Sequence, residues 1–206
     1  MKKIQGVYVI IDPQFIDFND PVEMAKKVLN GGAKVIQLRS KNASIKNIIK
    51  WGQDISMLCA EYGAVSIIND HIDIACITDA DGVHLGQQDI YPDLVSQVTT
   101  KDLIIGTSNA TISEVEQSER NECSYIAIGS IFPTDTKTDT RPAGLKLLID
   151  AKKICKKPIV AIGGINQDNV KSVIDTGVDS VCIVTAITLS KDPEKTTKSL
   201  SKYFNN

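Results

Sequence analysis

Two acids sit at positions where a metal or an anionic substrate can use them. The apolar run Val65–Ile68 ends in Asn69-Asp70, and the run Val83–Leu85 ends in Gly86 with Asp89 three residues on. Residues 71–79 between the runs have helical spacing. A strand–helix–strand unit makes both strands parallel and puts Asp70 and Asp89 at one rim of one sheet. Carboxylates so placed repel unless a cation or substrate lies between them. Mg²⁺ suits the pair, since one or two carboxylates plus substrate phosphates commonly hold it. The competing role is helix capping, by Asp70 for a helix starting at His71 and by Asp89 for one near Tyr91. The neighbouring segment Val35-Ile36-Gln37-Leu38-Arg39-Ser40-Lys41 tips the balance. Its alternation puts Gln37, Arg39 and Lys41 on one side. Arg39 belongs to a run that should be buried, and an Arg–Lys pair suits a phosphate or carboxylate.

Other strand ends add to this set. Gly106-Thr107-Ser108-Asn109 offers hydroxyls to a phosphate, or an N-cap to the next helix. Thr134-Asp135-Thr136-Lys137 places hydroxyls at alternate positions before a lysine, inside a 130–142 loop long enough to act as a lid or to be simply solvated. Gly163-Gly164 lets backbone N–H groups approach a ligand, or makes a tight turn. Val184-Thr185-Ala186 closes the last apolar run. His71 and His84 do not form a convincing metal pair; the first suits a helix start and the second a hydrogen-bonded core position. No Walker loop, dinucleotide glycine fingerprint or Ser-His-Asp order competes.

The elements that must position these residues alternate along the chain. Strands are expected at Val7–Ile11, Val35–Arg39, Val65–Ile68, Gly82–Leu85, Leu103–Gly106, Tyr125–Ile128, Pro158–Ile162 and Ser180–Val184. Helices are expected from Pro21 to Asn30, Ser44 to Tyr62, between the third and fourth strands, and over Tyr91–Val98, Ile112–Asn121, Gly144–Lys156, Asp168–Thr176 and Pro193 to about Phe204. Asp20, Ser44, Thr111 or Ser113, and Asp192 are candidate N-caps. Eight strand–helix units in 206 residues predict an α/β fold, a (β/α)8 TIM barrel, as one domain over 1–206. An open doubly wound sheet is the alternative. In a barrel, functional residues belong at the C-terminal strand ends, with a phosphate frequently held after strands seven and eight.

Composition bounds the function. The chain has 23 Lys and Arg against 25 Asp and Glu, a net charge of −2, which offers no field for nucleic acid or an anionic membrane. No apolar run nears the ~20 residues of a membrane span, and Val7–Ile11 is too short for a signal peptide core. The five cysteines, an odd number without close pair spacing, point away from disulfides and zinc and toward a reducing cytoplasm. Small-molecule substrates are the expected partners, with a homo-oligomer left open.

Five motifs then carry a resemblance: Gln37-Leu38-Arg39-x-Lys41, Ile68-Asn69-Asp70-x-x-Asp73, Asp81-Gly82-Val83-His84-Leu85-Gly86-Gln87-x-Asp89, Phe132-Pro133-Thr134-x-Thr136-Lys137 and Ala161-Ile162-Gly163-Gly164-Ile165. In this order, and over nearly the whole chain, the sequence resembles the thiamine phosphate synthase family. That family joins a hydroxymethylpyrimidine diphosphate to a thiazole phosphate, carboxylated or not, releasing diphosphate. The resemblance implies a Mg²⁺-dependent transferase with Asp70 and Asp89 on the metal. It implies that Gln37, Leu38, Arg39, Ser40, Lys41, Asn69, Ser108 and Lys137 hold the pyrimidine diphosphate. Thr134, Asp135, Thr136, Gly164, Val184 and Thr185 are implied for the thiazole phosphate, and Arg39, Lys41 and Lys137 for electrostatic catalysis. The chain departs from the family pattern at Ser40 (often Glu), His71 (often Arg), Ala110 (commonly His) and Thr185 (usually Ser). Two rivals remain. A thiazole tautomerase shares the barrel but usually lacks the acid pair, and needs a base near the thiazole where this chain has Ala110. A non-catalytic phosphate-binding barrel has no need of a complete leaving-group site.

Overall fold

The computed structural model describes residues 2–16, 20–134, 136 and 141–204. Eight parallel strands close into one barrel in sequence order. They are β1 (Gly6–Ile11), β2 (Val35–Leu38), β3 (Val65–Asn69), β4 (Gly82–Leu85), β5 (Ile104–Asn109), β6 (Tyr125–Ile128), β7 (Ile159–Ile162) and β8 (Ser180–Ile183). Closure is made where β1 meets β8, with Gly6 opposite Ser180 and Val9 opposite Ile183. That pairing excludes the open doubly wound sheet, which would leave both strands as edges.

The strands form where they do because both of their faces are buried. Every residue of β1, β2, β4, β6 and β8 is buried, so each reads as an unbroken apolar run rather than an alternating one. Alternation still sorts the side chains. Val7, Val9 and Ile11 pack outward against the helices, with Ile36, Leu38, Ile68 and Val83. Tyr8, Ile10, Val35, Ile67, Ile104, Tyr125 and Cys182 fill the barrel interior.

Helices on the outside are α1 (Pro21–Asn30), α2 (Ile45–Glu61), α3 (Ile72–Ile77), α4 (Val95–Val98), α5 (Ile112–Arg120), α6 (Gly144–Ile154), α7 (Val170–Ile174), α8 (Thr185–Thr188) and α9 (Pro193–Ser201). The starts of α1, α2, α5 and α9 follow from side-chain capping. Asp20 accepts from the N–H of Val22 and Glu23, Ser44 from Asn47 and Asp192 from Lys195. Thr111, not Ser113, caps α5, in a reciprocal capping box with Glu114. Burial alone would push the Glu114 carboxyl up, but the Arg141 guanidinium and the N–H of Ala110 and Thr111 outweigh it and hold it below its ordinary value.

Four details differ from the sequence reading. The expected helix at 91–98 is a 3-10 turn, Pro92–Leu94, followed by one turn of α4. The helix expected over 168–176 contracts to α7. β5 continues past Gly106 to Asn109, because β6 offers partners as far as Ile128. Two elements had no sequence signal, the 3-10 turn Pro13–Phe15 and α8; each is about one turn long, too short to show a period. All five cysteines are free thiols; Cys59, Cys123 and Cys182 are buried. Among the described residues no helix is long and apolar enough to cross a membrane.

Gly82 shows how tightly the barrel is drawn together. A Cβ there would lie 2.1 Å from the Ile104 carbonyl oxygen, inside the β4–β5 ladder. Gly82→Ala should therefore destabilise the fold by about 1–3 kcal/mol, the usual cost of overpacking, measured as a lower midpoint of urea unfolding.

Candidate active site

The C-terminal strand ends surround a cavity of about 730 Å³. Its walls include Gln37, Arg39, Asn69, Ser108, Thr134, Thr136, Gly164, Val184 and Thr185. The three that lie on strands, Gln37, Asn69 and Ser108, share one property: they fall on inward-pointing positions. β3 points Val65, Ile67 and Asn69 inward, and β5 points Ile104, Gly106 and Ser108. Leu38 has the opposite parity. Its side chain is buried among the outer core, so a role for Leu38 toward the pyrimidine diphosphate falls to its backbone.

One corner of the rim gathers the acids. Asp70 and Asp89 lie against each other, and Lys41 Nζ donates to Asp70 Oδ2 at 2.5 Å. Neither acid caps a helix. His71 is the N-cap residue of α3 and Tyr91 that of the turn at Pro92, both without a side-chain cap bond. Asp89 instead accepts the N–H of Gly86 at 2.7 Å. Asp70 has a φ of 64°, a left-handed conformation that non-glycine residues adopt only at a cost. Burial pushes the Asp89 carboxyl above its ordinary value. The Gly86 N–H opposes this, and the adjacent Asp70 carboxylate adds to it. This pair, with one exposed lysine beside it, has the donor chemistry for a hard divalent cation whose other ligands come from substrate.

Arg39 faces the cavity in an ion pair with Asp12, a buried acid at the end of β1. Asp12 also accepts from the Gln14 N–H and so starts the 3-10 turn. The guanidinium is thus oriented and partly neutralised from below. Ser40 does not point at the acids; its Oγ accepts the Ala43 N–H at 3.2 Å and shapes the turn before α2. Gln37 is buried and donates from Nε2 to the Tyr8 hydroxyl at 2.6 Å. His84 is a hydrogen-bonded core residue, with contacts to Tyr125 and Ser108.

The opposite wall is built from backbone. Gly163 and Gly164 have φ of 102° and 64°. A Cβ on Gly164 would lie 2.5 Å from the Pro133 carbonyl oxygen, so the chain after β6 passes here only because both positions are glycine. Phe132 N–H donates to Gly163 O at 3.0 Å. Thr134 and Thr136 join through their hydroxyls at 3.1 Å, and Thr185 begins α8 beside them on the cavity wall. Asp135 and Lys137 lie outside the described residues.

Comparison with known proteins agrees with this arrangement. Residues 7–187 match the family model described as thiamine monophosphate synthase. The chain is 39% identical over 196 residues to the thiamine-phosphate synthase of Pyrococcus furiosus, covering 95% of this chain and 93% of the relative. It is 33% identical over 199 residues to that of Clostridium tetani, covering 97% and 95%. A solved thiamine phosphate pyrophosphorylase from Pyrococcus furiosus superimposes with a TM-score of 0.89 at 36% identity, covering 96% of this chain and 94% of that one.

The chain belongs to the thiamine monophosphate synthase family.

Within this family the chain is a transferase of thiamine biosynthesis. Sequence reasoning missed several residues of its cavity. Asp12 was passed over although it continues the inward parity of Tyr8 and Ile10. Beneath the cavity, Tyr8 and Tyr125 fill the barrel interior and carry no signal in sequence that sets them apart from core. Arg141, also on the cavity wall, sits after a threonine-rich loop with no periodicity to orient it; its guanidinium pairs with both Glu114 oxygens at 2.5 and 3.2 Å.

The crowded acid pair has a measurable consequence. A carboxyl whose folded pKa is raised binds its proton more tightly folded than unfolded. Its ionisation therefore weakens the fold as pH rises above the ordinary carboxylate range of about 4, and the loss persists at neutral pH. Asp89→Asn should raise the melting temperature of chelator-treated protein at neutral pH. The gain should vanish near pH 3, where the wild-type acid is protonated. Scanning calorimetry at both pH values reads this directly.

Proposed function

We propose that this thiamine-phosphate synthase holds the pyrimidine diphosphate with its leaving group at the Asp70–Asp89 corner and the thiazole phosphate against Gly164 and Thr185. The observation that carries the reading is one cavity with Arg39 and Asn69 on its wall, Asn69 leading directly into the rim acids, and the Gly163–Gly164 backbone elsewhere on the same wall. Two anionic groups then bind apart, with their reacting atoms between them.

Gln37, Asn69 and Ser108 would fix the pyrimidine. Arg39, Lys41 and Lys137 would neutralise charge as the C–O bond to diphosphate breaks. Asp70 and Asp89 would hold Mg²⁺, which when bound supplies further charge neutralisation on the diphosphate. Electrons from the amino-substituted pyrimidine stabilise the methylene cation left behind, and the thiazole nitrogen captures it. No protein nucleophile is needed. Arg39 would act by its charge, with Asp12 holding the guanidinium in place. Thr134, Asp135, Thr136, Gly164, Val184 and Thr185 would anchor the acceptor so that its nitrogen faces the cation. Water is excluded best if the 130–142 segment covers the bound pair.

A tautomerase reading finds less support. Ala110 is buried at the cavity edge where that chemistry calls for a base.

Purified protein given both substrates and Mg²⁺ should release diphosphate and thiamine phosphate, followed by chromatography. No product with either thiazole form would sink the proposal. Asp70→Ala and Lys41→Ala should each lower kcat by about 10²-fold, the scale of one lost charge-stabilising group. Circular dichroism should stay unchanged. Full turnover in both variants would remove the leaving group from this corner.

A further inference from the structure

A chain of hydrogen bonds crosses the barrel beneath the cavity and belongs to neither anion site. Gln37 Nε2 lies 2.6 Å from Tyr8 OH. Tyr8 OH lies 3.0 Å from Tyr125 OH, and Tyr125 OH lies 2.9 Å from His84 Nδ1. His84 Nε2 lies 2.9 Å from Ser108 Oγ. The links come from five strands, β1, β2, β4, β5 and β6, and both ends of the chain reach the cavity wall. The space for it is built in. Gly106 faces the barrel interior, and a Cβ there would lie 2.0 Å from Tyr125 Cζ and 2.3 Å from its hydroxyl.

The donors in this chain can be assigned by counting protons. Gln37 Nε2 can only donate, so Tyr8 OH accepts from it. Tyr8 is wholly buried and its remaining hydrogen-bond partner is Tyr125. A buried hydroxyl proton left without an acceptor is costly, so Tyr8 donates to Tyr125. Tyr125 then donates to His84 Nδ1, which places the imidazole proton on Nε2. That N–H donates to Ser108 Oγ, and the Ser108 hydroxyl proton is left for a ligand. Burial pushes both tyrosine hydroxyls above their ordinary pKa, so they keep the protons this scheme needs. At the other end, Gln37 Oε1 has no hydrogen-bond partner among the described residues and is left to accept.

We infer that Tyr8, Tyr125 and His84 are positioning residues that fix the hydrogen-bond polarity of the pyrimidine pocket, making Ser108 a donor and Gln37 Oε1 an acceptor. The two ends then match a ring that offers an amino N–H on one edge and a ring nitrogen lone pair on another. This rests on the proposed placement of the pyrimidine at Gln37 and Ser108, and it adds a role for three residues that need not touch the reacting atoms.

Two measurements test it. The chain has only two histidines, His71 and His84, so imidazole ¹⁵N spectra of the free protein, assigned with His71→Gln, report His84 alone. The expected state near neutral pH is the neutral Nε2–H tautomer; an Nδ1–H tautomer or an imidazolium overturns the assignment. The second is a double-mutant cycle. Tyr125→Phe should raise KM for the pyrimidine diphosphate about tenfold, the scale of one lost hydrogen bond, with KM for the thiazole phosphate unchanged. In a Ser108→Ala background the same substitution should add nothing. Additive effects, or equal rises in both KM values, would show a merely structural role. If Tyr125→Phe does not fold, Tyr8→Phe is judged by the same criteria. A wild-type protein without synthase activity would refute the proposed function, while the tautomer would still decide the relay.

Discussion

Closure of the barrel by β1 and β8 is the constraint on which everything else rests. Val9 pairs with Ile183, and only then do residues nearly the whole chain apart in sequence share one rim. Asp12 follows β1, and Thr185 follows β8. Without the closing ladder Asp12 and Thr185 would stand at opposite edges of a sheet. In the closed ring both line one cavity of about 730 Å³. A parallel barrel also fixes side-chain parity, since each strand sends alternate residues inward. The cavity is thus the upper layer of the same inward set whose lower members, such as Ile10 and Val35, are core.

Charge in the cavity is arranged more economically than a tally of lysines and acids implies. Arg39 is committed to buried Asp12, and Lys41 to Asp70. Each pair pre-positions its cation at the mouth while limiting mutual repulsion there. Among the described residues Asp89 has no ion pair of its own; it takes one backbone N–H, the pressure of its neighbour and a weaker attraction from Lys41. The corner is consequently the part of the site whose electrostatics are least satisfied by the protein alone. Binding sites built for a charged ligand tend to have this character, and it accompanies the left-handed backbone at Asp70.

Most of the fold was legible because its strands are short, apolar and bounded by Gly, Asn or Asp, and because good capping residues open α1, α2, α5 and α9. The capping alternative for Asp70 and Asp89 was open in sequence for a physical reason. An acid after a strand and before a helix looks the same whether it bonds backbone N–H groups or faces a ligand, and only the dihedral at Asp70 and the cap at His71 separate the two. Leu38 was included by its place in a motif, yet parity turns it outward. Asp12 was readable by parity, but Asp12-Pro13 at the end of the first strand is weakly informative by itself. The Tyr8–Tyr125–His84 chain could not be read at all. Its members are distant in sequence, and each alone is an ordinary core residue.

Gly106 and the Tyr125 ring above it have a consequence for selectivity. An aliphatic floor would accept any flat ring of the right size, and would separate near-isosteres by little more than the fit of a methyl group. A floor of hydroxyl, imidazole and amide groups penalises differently. A ring lacking the complementary nitrogens would enter without a clash, yet would strip water from Ser108 and Gln37 and return nothing to them. Rejection by unpaired polar groups can reach factors of 10⁴ or more, where rejection by volume reaches tens to hundreds. With the pyrimidine placed as proposed, the missing side chain at Gly106 lets this small barrel tell a nitrogen heterocycle from its hydrocarbon outline.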